Sequence, residues 1–336
     1  MRSNKTNINN HKTFITSLLI IITSFITFSQ IDSSSTTSYR NNFILFNDLG
    51  FNTAPLNIET DQNKIPIKAK FRNNIHDFYG IGCHYRWLSL RLNIQLPGSI
   101  KPTKDYGPSK YFHLGFDFTY KKMFFDVDFY RYRGFALLDA YQFNPSKSIN
   151  DTPNDIESSL ISKSFSINMW FFYKKNFSMS ALRGKTAVFN KSSFTWYVKS
   201  TINSFGINNN ESTILPFYLN DPSNSKTSST LIRAFDIGLV PGLAYAYIKG
   251  HWNISALGGY GLVIQEKSFH TNQTTRYFIG LAPRFDIRFI GGYQTPNWFL
   301  MLHTDFDNKS IEFTSLKYTQ TYLNIRLVAG YRFKTK

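Results

Sequence analysis

Apolar and polar side chains alternate along most of this chain, and a period of two predicts β-strands rather than helices. The clearest stretch is YLNIRLVAGYRF at residues 322–333, in which every second residue from Leu323 to Phe333 is apolar or aromatic. The residues between them include Asn324 and Arg326. Alternation over about eleven residues matches the length of a strand that crosses a membrane at a tilt.

The same alternation recurs upstream. It appears in YGIGCHYRW (79–87), LSLRLNIQL (88–96), YFHLGFDFTY (111–120), FDIGLVPGLAYAY (235–247), LAPRFDIRF (281–289) and WFLMLHTDF (298–306). Such a strand fits a soluble sandwich with its apolar face inside or a membrane barrel with its apolar face outside. The barrel is favoured because strands in soluble sandwiches usually have about five or six residues.

Aromatic residues at the strand ends support the same reading, because an interfacial girdle needs them there. They are Trp87, Tyr120, Tyr247, Trp252, Trp298 and Tyr331. The sequence therefore predicts an all-β fold, a single antiparallel transmembrane β-barrel of about twelve strands, with ten or fourteen as alternatives.

The strand count depends on the connections, which fall into short turns and long polar loops, as in membrane barrels. We expect short turns at residues 86–88, 121–122, 174–176, 249–250 and 291–297, and long loops at 97–110, 134–160, 206–230, 266–275 and 304–317. Only three predicted strands separate the turns near Lys175 and Lys249, although turns at one end require an even number. These strands cover residues 177–185, 193–204 and 231–248. Either residues 214–218 belong to an extra strand or residues 183–193 form an inward plug.

The N-terminus has the pattern of a secretory signal peptide. Residues 14–28, FITSLLIIITSFITF, carry no charge, and three Lys or Arg residues precede them. Thr27 and Ser29 are small residues at the −3 and −1 positions of a cleavage site before Gln30. Because a retained helical anchor needs about 20 apolar residues, we predict a cleaved signal peptide at 1–29 and a barrel domain at 30–336.

Composition limits the other classes of function. The chain has 38 Lys plus Arg against 21 Asp plus Glu, a net charge of +17 that falls to +14 without the three basic residues of the signal peptide. The basic residues are spread through turns and strands, so we expect anionic lipid rather than nucleic acid as their partner. A single Cys excludes an intramolecular disulfide framework and a Cys-rich zinc site.

Several of these stretches resemble the conserved core of an uncharacterised exported family, the "domain of unknown function 4421". The best marks are YRYRG at residues 130–134 and PGLAY at 241–245. The resemblance covers roughly residues 43–333, while the stretch 184–194 departs from the family pattern. It implies an outer-membrane barrel and supplies no activity.

Polar residues on the predicted inner faces are the candidate functional groups. A hydrolase site at the barrel rim would use His as a base and carboxylates to orient it. Its candidates are His113, Asp117, Asp126, Asp128, His303 and Asp305. The alternative is that such residues fill the lumen as ion pairs, because a bare buried charge is costly. The lumen-lining set is Arg91, Arg284, Asp286, Arg288, Arg326 and Arg332, and an open lumen of this composition would favour anions.

Small inner residues on two neighbouring strands leave room for an inward loop, the N-terminal segment or a ligand. They are Gly238, Gly242, Ala244, Ala246, Gly259 and Gly261. No phosphate-loop, dinucleotide, zinc-protease or Gly-x-Ser-x-Gly motif occurs, so we expect neither a cofactor nor a metal.

Three functions remain at this stage. The first is an outer-membrane barrel of a diderm bacterium with a structural role or a narrow transport pore. It would be a monomer that contacts outer-membrane lipids and the barrel assembly machinery. The second is the rim hydrolase, and the third is a secreted soluble β protein that binds a surface partner.

Overall fold

The computed structural model describes residues 35–62, 65–75, 77–150 and 153–335. The predicted signal peptide at 1–29 lies outside these residues. The strands are β1 (Thr36–Ser38), β2 (Phe43–Thr53), β3 (Leu56–Gln62), β4 (Ile65–Arg72), β5 (Phe78–Tyr85), β6 (Leu88–Gln95), β7 (Lys110–Tyr120), β8 (Met123–Leu137), β9 (Asp155–Phe172), β10 (Ala187–Phe189), β11 (Ser193–Asn209), β12 (Leu231–Lys249), β13 (Trp252–His270), β14 (Thr275–Gln294), β15 (Trp298–Phe313) and β16 (Leu316–Phe333).

Helices are few and short. They are α1 (Thr103–Tyr106), α2 (Met179–Arg183) and three 3₁₀ turns at Ala140–Gln142, Phe217–Leu219 and Ser225–Ser228. Among the residues that the structure describes, no helix has the length and apolar character needed to cross a membrane.

Twelve antiparallel strands form one closed ring. Their order around the ring is β2, β5, β6, β7, β8, β9, β11, β12, β13, β14, β15 and β16, and β16 pairs with β2. Closure removes the unpaired edges that an open sheet would expose. The predicted fold class and the strand count of about twelve are confirmed.

The hairpin of β3 and β4 extends the ring at one end. β3 continues beside β16, where Leu56 pairs with Gln320, and β4 returns beside β3. β4 also pairs with β8 through Phe71 and Arg72. This pairing lies beyond the ends of β6 and β7, which do not reach as far along the barrel. At this end the wall is therefore formed by β3 and β4 instead of by β6 and β7.

The apolar faces of the ring point outward and the polar faces inward. Leu239, Leu243 and Leu262 are each more than half exposed, whereas Asp236 and Asn253 on the opposite faces are fully buried. A soluble protein cannot leave such a continuous apolar band in water. The alternative of a secreted soluble protein with the apolar faces inside is therefore wrong.

The two ends of the ring differ in their connections. The short-turn end holds the two-residue turns after β5 and β7, together with Phe43 and Phe333 near the ends of the chain. The other end, the long-loop end, holds the loops at residues 96–109, 138–154 and 210–230. Residues 214–218, one proposed extra strand, lie in the last of these loops without strand structure.

Three predicted connections are wrong. The long loops at 266–275 and 304–317 are mostly strand, because β13 reaches His270 and β15 reaches Phe313. These strands run past the apolar band, where both faces can be polar, so the alternation disappears although the pairing continues. The predicted short turn at 174–176 is instead the start of a long insertion, residues 173–192, between β9 and β11.

Two apolar clusters occupy the inside of the ring. One lies at the long-loop end and includes Phe71, Phe135 and Phe313. The other lies at the short-turn end and includes Leu182 of α2 with Phe299 of β15. The charged inner residues lie between them, so the lumen is apolar at both ends and polar in the middle.

The ladder between β14 and β15 is incomplete. Ile287–Gln294 of β14 pair with Phe299–Phe306 of β15, and the register extends no further toward the long-loop end. Above it β14 pairs with β13, and β15 pairs with β16. The wall therefore has two facing unpaired strand edges in this half of the barrel.

Replacing Leu239 by Arg tests the orientation of the wall. A cation on the lipid face near mid-strand should lower the free energy of unfolding in lipid by roughly 2–4 kcal/mol. The control is Thr319→Arg, on the outward face of β16 beyond the apolar band, which we expect to cost less than about 1 kcal/mol. Urea titration of protein folded into lipid vesicles measures both; equal losses would contradict an outward apolar face at Leu239.

Candidate functional site

The inward charges form a polar belt across the middle of the lumen. Strands alternate their side chains, so charged residues on the even or odd positions of several neighbouring strands meet inside the ring. The acidic members are Asp48, Asp117, Asp126, Asp128, Asp236, Asp286 and Asp305, and the basic members are Arg91, Lys199, Arg284, Arg288, Lys309 and Arg326.

Arg288 is the centre of the belt. Its guanidinium lies 3.5 Å from a carboxylate oxygen of Asp126, 3.4 Å from one of Asp286 and 3.4 Å from one of Asp305. These three aspartates come from β8, β14 and β15, so one cation connects strands on different sides of the lumen. Such pairing is what makes buried charge tolerable in a narrow barrel.

Asp286 is held from several directions. Lys199 Nζ lies 3.3 Å from its Oδ1, while the Tyr197 hydroxyl and the Trp170 indole N–H each donate to its Oδ2 at 2.9 Å. A carboxylate that accepts this many hydrogen bonds is fixed in position. Asp286 therefore ties β14 to β9 and β11 across the lumen.

A second group surrounds Asp128. Its Oδ1 lies 2.7 Å from His113 Nε2 and 3.3 Å from Arg91 Nη2. The Asn93 side-chain amide lies 3.1 Å from His113 Nδ1, and the imidazole stacks on Tyr130 with ring centroids 4.2 Å apart. Both ring nitrogens of this histidine are engaged, which is the arrangement of a structural hydrogen-bond network.

The inner charges are close to balanced, which corrects the expectation of a partly basic lumen. All six predicted lumen residues lie inside, but Arg284 pairs with Asp236, and Arg326 lies 3.1 Å from Asp305. The arginines are neutralised by these partners, so the belt has no strong preference for anions.

A cavity of about 70 Å³ remains in the belt. Its lining includes Asp305, Arg326 and Asn324 together with Phe285 and Phe306. This volume is enough for a few water molecules or one small polar group.

The inserted segment, residues 173–192, occupies the lumen at the short-turn end. Ser178 caps α2 by accepting a hydrogen bond from the Ala181 amide, and Gly184 ends it in the left-handed conformation with φ +68°. A Cβ at Gly184 would come within 2.8 Å of Gln294, so the turn also needs the small residue. The plug alternative for residues 183–193 is confirmed, and the predicted strand from Phe177 to Lys185 is wrong.

Charged side chains attach the inserted segment to the wall. Arg183 donates to Asp117 Oδ2 at 3.1 Å and also to Asp126 Oδ2. Lys185 Nζ lies 3.3 Å from the same oxygen of Asp117. Burial lowers the pKa of Lys185 to about 8, and the carboxylate of Asp117 acts in the opposite direction.

Arg332 of β16 holds the same segment through its backbone. Its guanidinium donates to the carbonyls of Gly184 at 2.6 Å and Lys185 at 2.9 Å. β1 adds a short antiparallel ladder to β10, in which Thr36 pairs with Phe189. Arg332 therefore belongs to the plug rather than to the polar belt.

The small inner faces of β12 and β13 are covered by protein. The Tyr197 ring lies over Gly242 and Gly259, where a Cβ would approach its atoms within 2.5 and 2.8 Å. Ala244 and Ala246 pack in the apolar cluster that contains the inserted segment. Of the three occupants considered for this space, the inward loop is the one found beside the two alanines.

The six candidate catalytic residues lie in the lumen and not at the outer rim. Asp117 and Asp126 bind Arg183, His113 pairs with Asp128, and Asp305 pairs with two arginines. His303 is buried, and its Nε2 has no hydrogen-bond partner among the described residues. The four aspartates among them are brought together as ion pairs around Arg183, Arg91 and Arg288. Within the described part of the chain, no group of three or more His, Cys, Asp or Glu side chains could hold a metal ion.

The predicted sets omit six charged residues of the lumen: Asp48, Arg183, Lys185, Lys199, Asp236 and Lys309. Arg183 was overlooked because the inserted segment has no period of two. Asp48 and Asp236 face Arg91 and Arg284, and the alternation of their own strands placed both on inner faces. The alternation with a period of two therefore indicates an inward position for the two aspartates and gives no such indication for Arg183.

The fold and the lumen together define a class: a transmembrane β-barrel of twelve strands whose lumen is closed by an inserted segment of its own chain. The chain belongs to the family described as a domain of unknown function, DUF4421, whose model matches residues 30–333. This confirms the resemblance noted in the sequence.

Comparison with curated proteins finds no match. Among solved structures, the chain is similar to the outer-membrane protease OmpT of Escherichia coli, with 8% identity, 88% of this chain and 98% of that chain covered, and a TM-score of 0.39. The translocator domain of the autotransporter NalP of Neisseria meningitidis has 8% identity, 96% coverage of both chains and a TM-score of 0.36. The toluene transporter TodX of P. putida has 10% identity, coverage of 88% and 91%, and a TM-score of 0.30. These likenesses carry no argument about what this chain does.

Replacing Arg288 by Met tests the polar belt. Three aspartates would lose a shared cation, so the free energy of unfolding should fall by about 3–5 kcal/mol. The control is Lys68→Met, because Lys68 pairs with Glu59 at 2.6 Å while both are more than two-fifths exposed, and such a pair contributes less than about 1 kcal/mol. Urea midpoints in lipid compare the two, and equal losses would contradict the role of Arg288.

Proposed function

We propose that the protein is a gated barrel in the outer membrane of a diderm bacterium, closed at rest and opened when the inserted segment moves. The observation that supports this proposal is that the inserted segment closes the short-turn end and is attached to the wall there by charge pairs and hydrogen bonds as well as by apolar residues such as Leu182 and Phe189. Water can replace the polar contacts more readily than the apolar ones. The middle of the lumen is polar, so a small polar solute could enter it from the short-turn end once the segment is displaced.

A second candidate is a permanently closed barrel with a structural role. The apolar cluster at the long-loop end favours it, because Phe71, Phe135 and Phe313 are buried there with loop residues such as Leu215. Opening this end requires apolar surface to become exposed, at about 25 cal/mol per Å². The two candidates predict different electrical behaviour.

The remaining parts of the proposal concern location and partners. We infer that the signal peptide is cleaved during export, that the barrel is a monomer in outer-membrane lipid, and that the barrel assembly machinery inserts it. Basic residues in turns, such as Lys121 and Lys122, would face anionic head groups. We propose no nucleic-acid partner and no cofactor.

Conductance in planar lipid bilayers tests the gate. The wild-type protein should conduct rarely, and the double variant Arg183→Gln/Arg332→Gln should raise the open probability by about tenfold or more, because hydrogen bonds to charged groups contribute ~1.5–3 kcal/mol each. The matched control is Arg131→Gln, an exposed arginine on β8, which should leave conductance unchanged. If neither the double variant nor the control raises the conductance of the bilayer, the structural candidate is favoured.

A disulfide lock gives a reversible version of the test. The hydroxyls of Thr119 on β7 and Ser180 on α2 lie 2.8 Å apart. In a Cys83→Ser background, Thr119→Cys/Ser180→Cys should fix α2 to the wall when oxidised. Added to the double variant, it should suppress conductance until a reductant is supplied; continued conductance in the oxidised form would contradict gating by this segment.

A further inference from the structure

The incomplete ladder between β14 and β15 leaves a break in the backbone hydrogen bonding of the barrel wall. Its lower edge is the last pair, Ile287 with Phe306. Above that pair, residues 283–286 of β14 face residues 307–310 of β15 without ladder pairing. We name this break the wall window.

Side chains bind backbone carbonyls at and just beyond the wall window. The Pro283 carbonyl accepts a hydrogen bond from Arg284 Nη1 at 3.0 Å, and the Ser310 carbonyl accepts one from Gln265 Nε2 at 3.0 Å. Lys267 Nζ donates to the Glu312 carbonyl. Proline cannot donate to a ladder, so its place on this edge also opposes pairing. These side-chain hydrogen bonds replace part of the missing ladder, and the Gln265 bridge is the upper limit of the window.

The wall window reaches the cavity of the polar belt. Phe285 and Phe306 occupy outward register positions, and Phe285 packs on the exposed Tyr260 with ring centroids 5.1 Å apart. Both phenylalanines nevertheless line the cavity. The same two residues therefore border both the lipid-facing surface and the polar interior.

The cavity offers hydrogen-bond donors that no protein group uses. Arg326 gives one N–H to Asp305, while its Nε and Nη1 have no hydrogen-bond partner. The side-chain amide of Asn324 also has none. Both residues are more than nine-tenths buried and line the cavity. An acceptor such as a carbonyl oxygen would satisfy these donors.

The charge balance of the cavity and its apolar surroundings further restrict the chemical class of the ligand. The cationic and anionic residues that line the cavity are equal in number, so a ligand needs no charge of its own. The β14 side of the window is apolar at Leu281, and the neighbouring β13 is apolar at Leu262. A chain that extends outward from the cavity would therefore lie against apolar surface.

We propose that the wall window is a lateral entrance from the membrane for an uncharged single-chain amphiphile with a small carbonyl-bearing head. The head binds Arg326 and Asn324 in the cavity, and the tail passes between Phe285 and Phe306 and remains in lipid. The cavity is too small for more than a head group. This entrance is independent of the gate at the short-turn end.

Equilibrium binding of radiolabelled monoolein to the full protein in nanodiscs of saturated phosphatidylcholine tests the site. Monoolein should bind at least about tenfold more tightly than 1-octadecene, which lacks the head, and than oleate, which adds a charge. Glycerol in the aqueous phase should not compete. If 1-octadecene binds as tightly as monoolein, the window is only an apolar crevice. If oleate binds more tightly, the ligand is not uncharged. Either result overturns the proposal.

Two variants assign the contacts without removing an ion pair. Arg326→Lys keeps the charge beside Asp305 but loses the planar fork, and Asn324→Leu removes only the free amide; each should weaken monoolein binding about tenfold. The control Arg131→Lys should leave it unchanged. If both cavity variants bind as the wild type does, the head does not occupy the cavity.

The route of entry is tested separately by the rate at which monoolein associates. In a Cys83→Ser background, Phe306→Cys carrying a bulky maleimide should slow monoolein association about tenfold or more relative to the unlabelled variant. An unchanged rate would show that monoolein enters elsewhere, and the lateral entrance would be wrong.

Discussion

Pairing of buried charges is the constraint on which this structure depends. A barrel with its apolar face in lipid must turn its polar face inward, and a ring of twelve strands leaves little room for water there. Each inward aspartate therefore needs a cation close by. Arg288, with three carboxylates around it, satisfies this need for strands that are distant in sequence.

The inserted segment follows from the same constraint. Asp117 and Asp126 lie near the short-turn end, where Arg288 alone cannot neutralise both. Arg183 and Lys185 bring the missing positive charge from within the lumen. The segment thus completes the charge balance of the wall, and its apolar residues fill the space beside the small side chains of β12. Removing it would leave both an opening and two poorly compensated carboxylates.

Much of this arrangement can be predicted from the sequence, because a strand in a barrel has only two faces. Alternation alone assigned Asp128, Arg288 and Arg326 to the lumen, and the odd number of strands before Lys249 indicated either an extra strand or a plug. The partners could not be predicted, because the pair of Arg288 with Asp126 depends on how the strands are staggered around the ring. The strand extensions beyond the membrane and the gap beside β15 were also missed, since neither leaves a hydrophobic period. Arg183 lies in a segment with no period at all.

The central claim is that the wall encloses part of its own chain in the resting state. Backbone hydrogen exchange of the protein folded in lipid tests this claim most directly, because α2 and β10 would otherwise be exposed to water. The account predicts that amides of residues 179–189 exchange as slowly as those of β7 and β8, which enclose them. Exchange of these amides as fast as those of the exposed loop at residues 145–150 would contradict it.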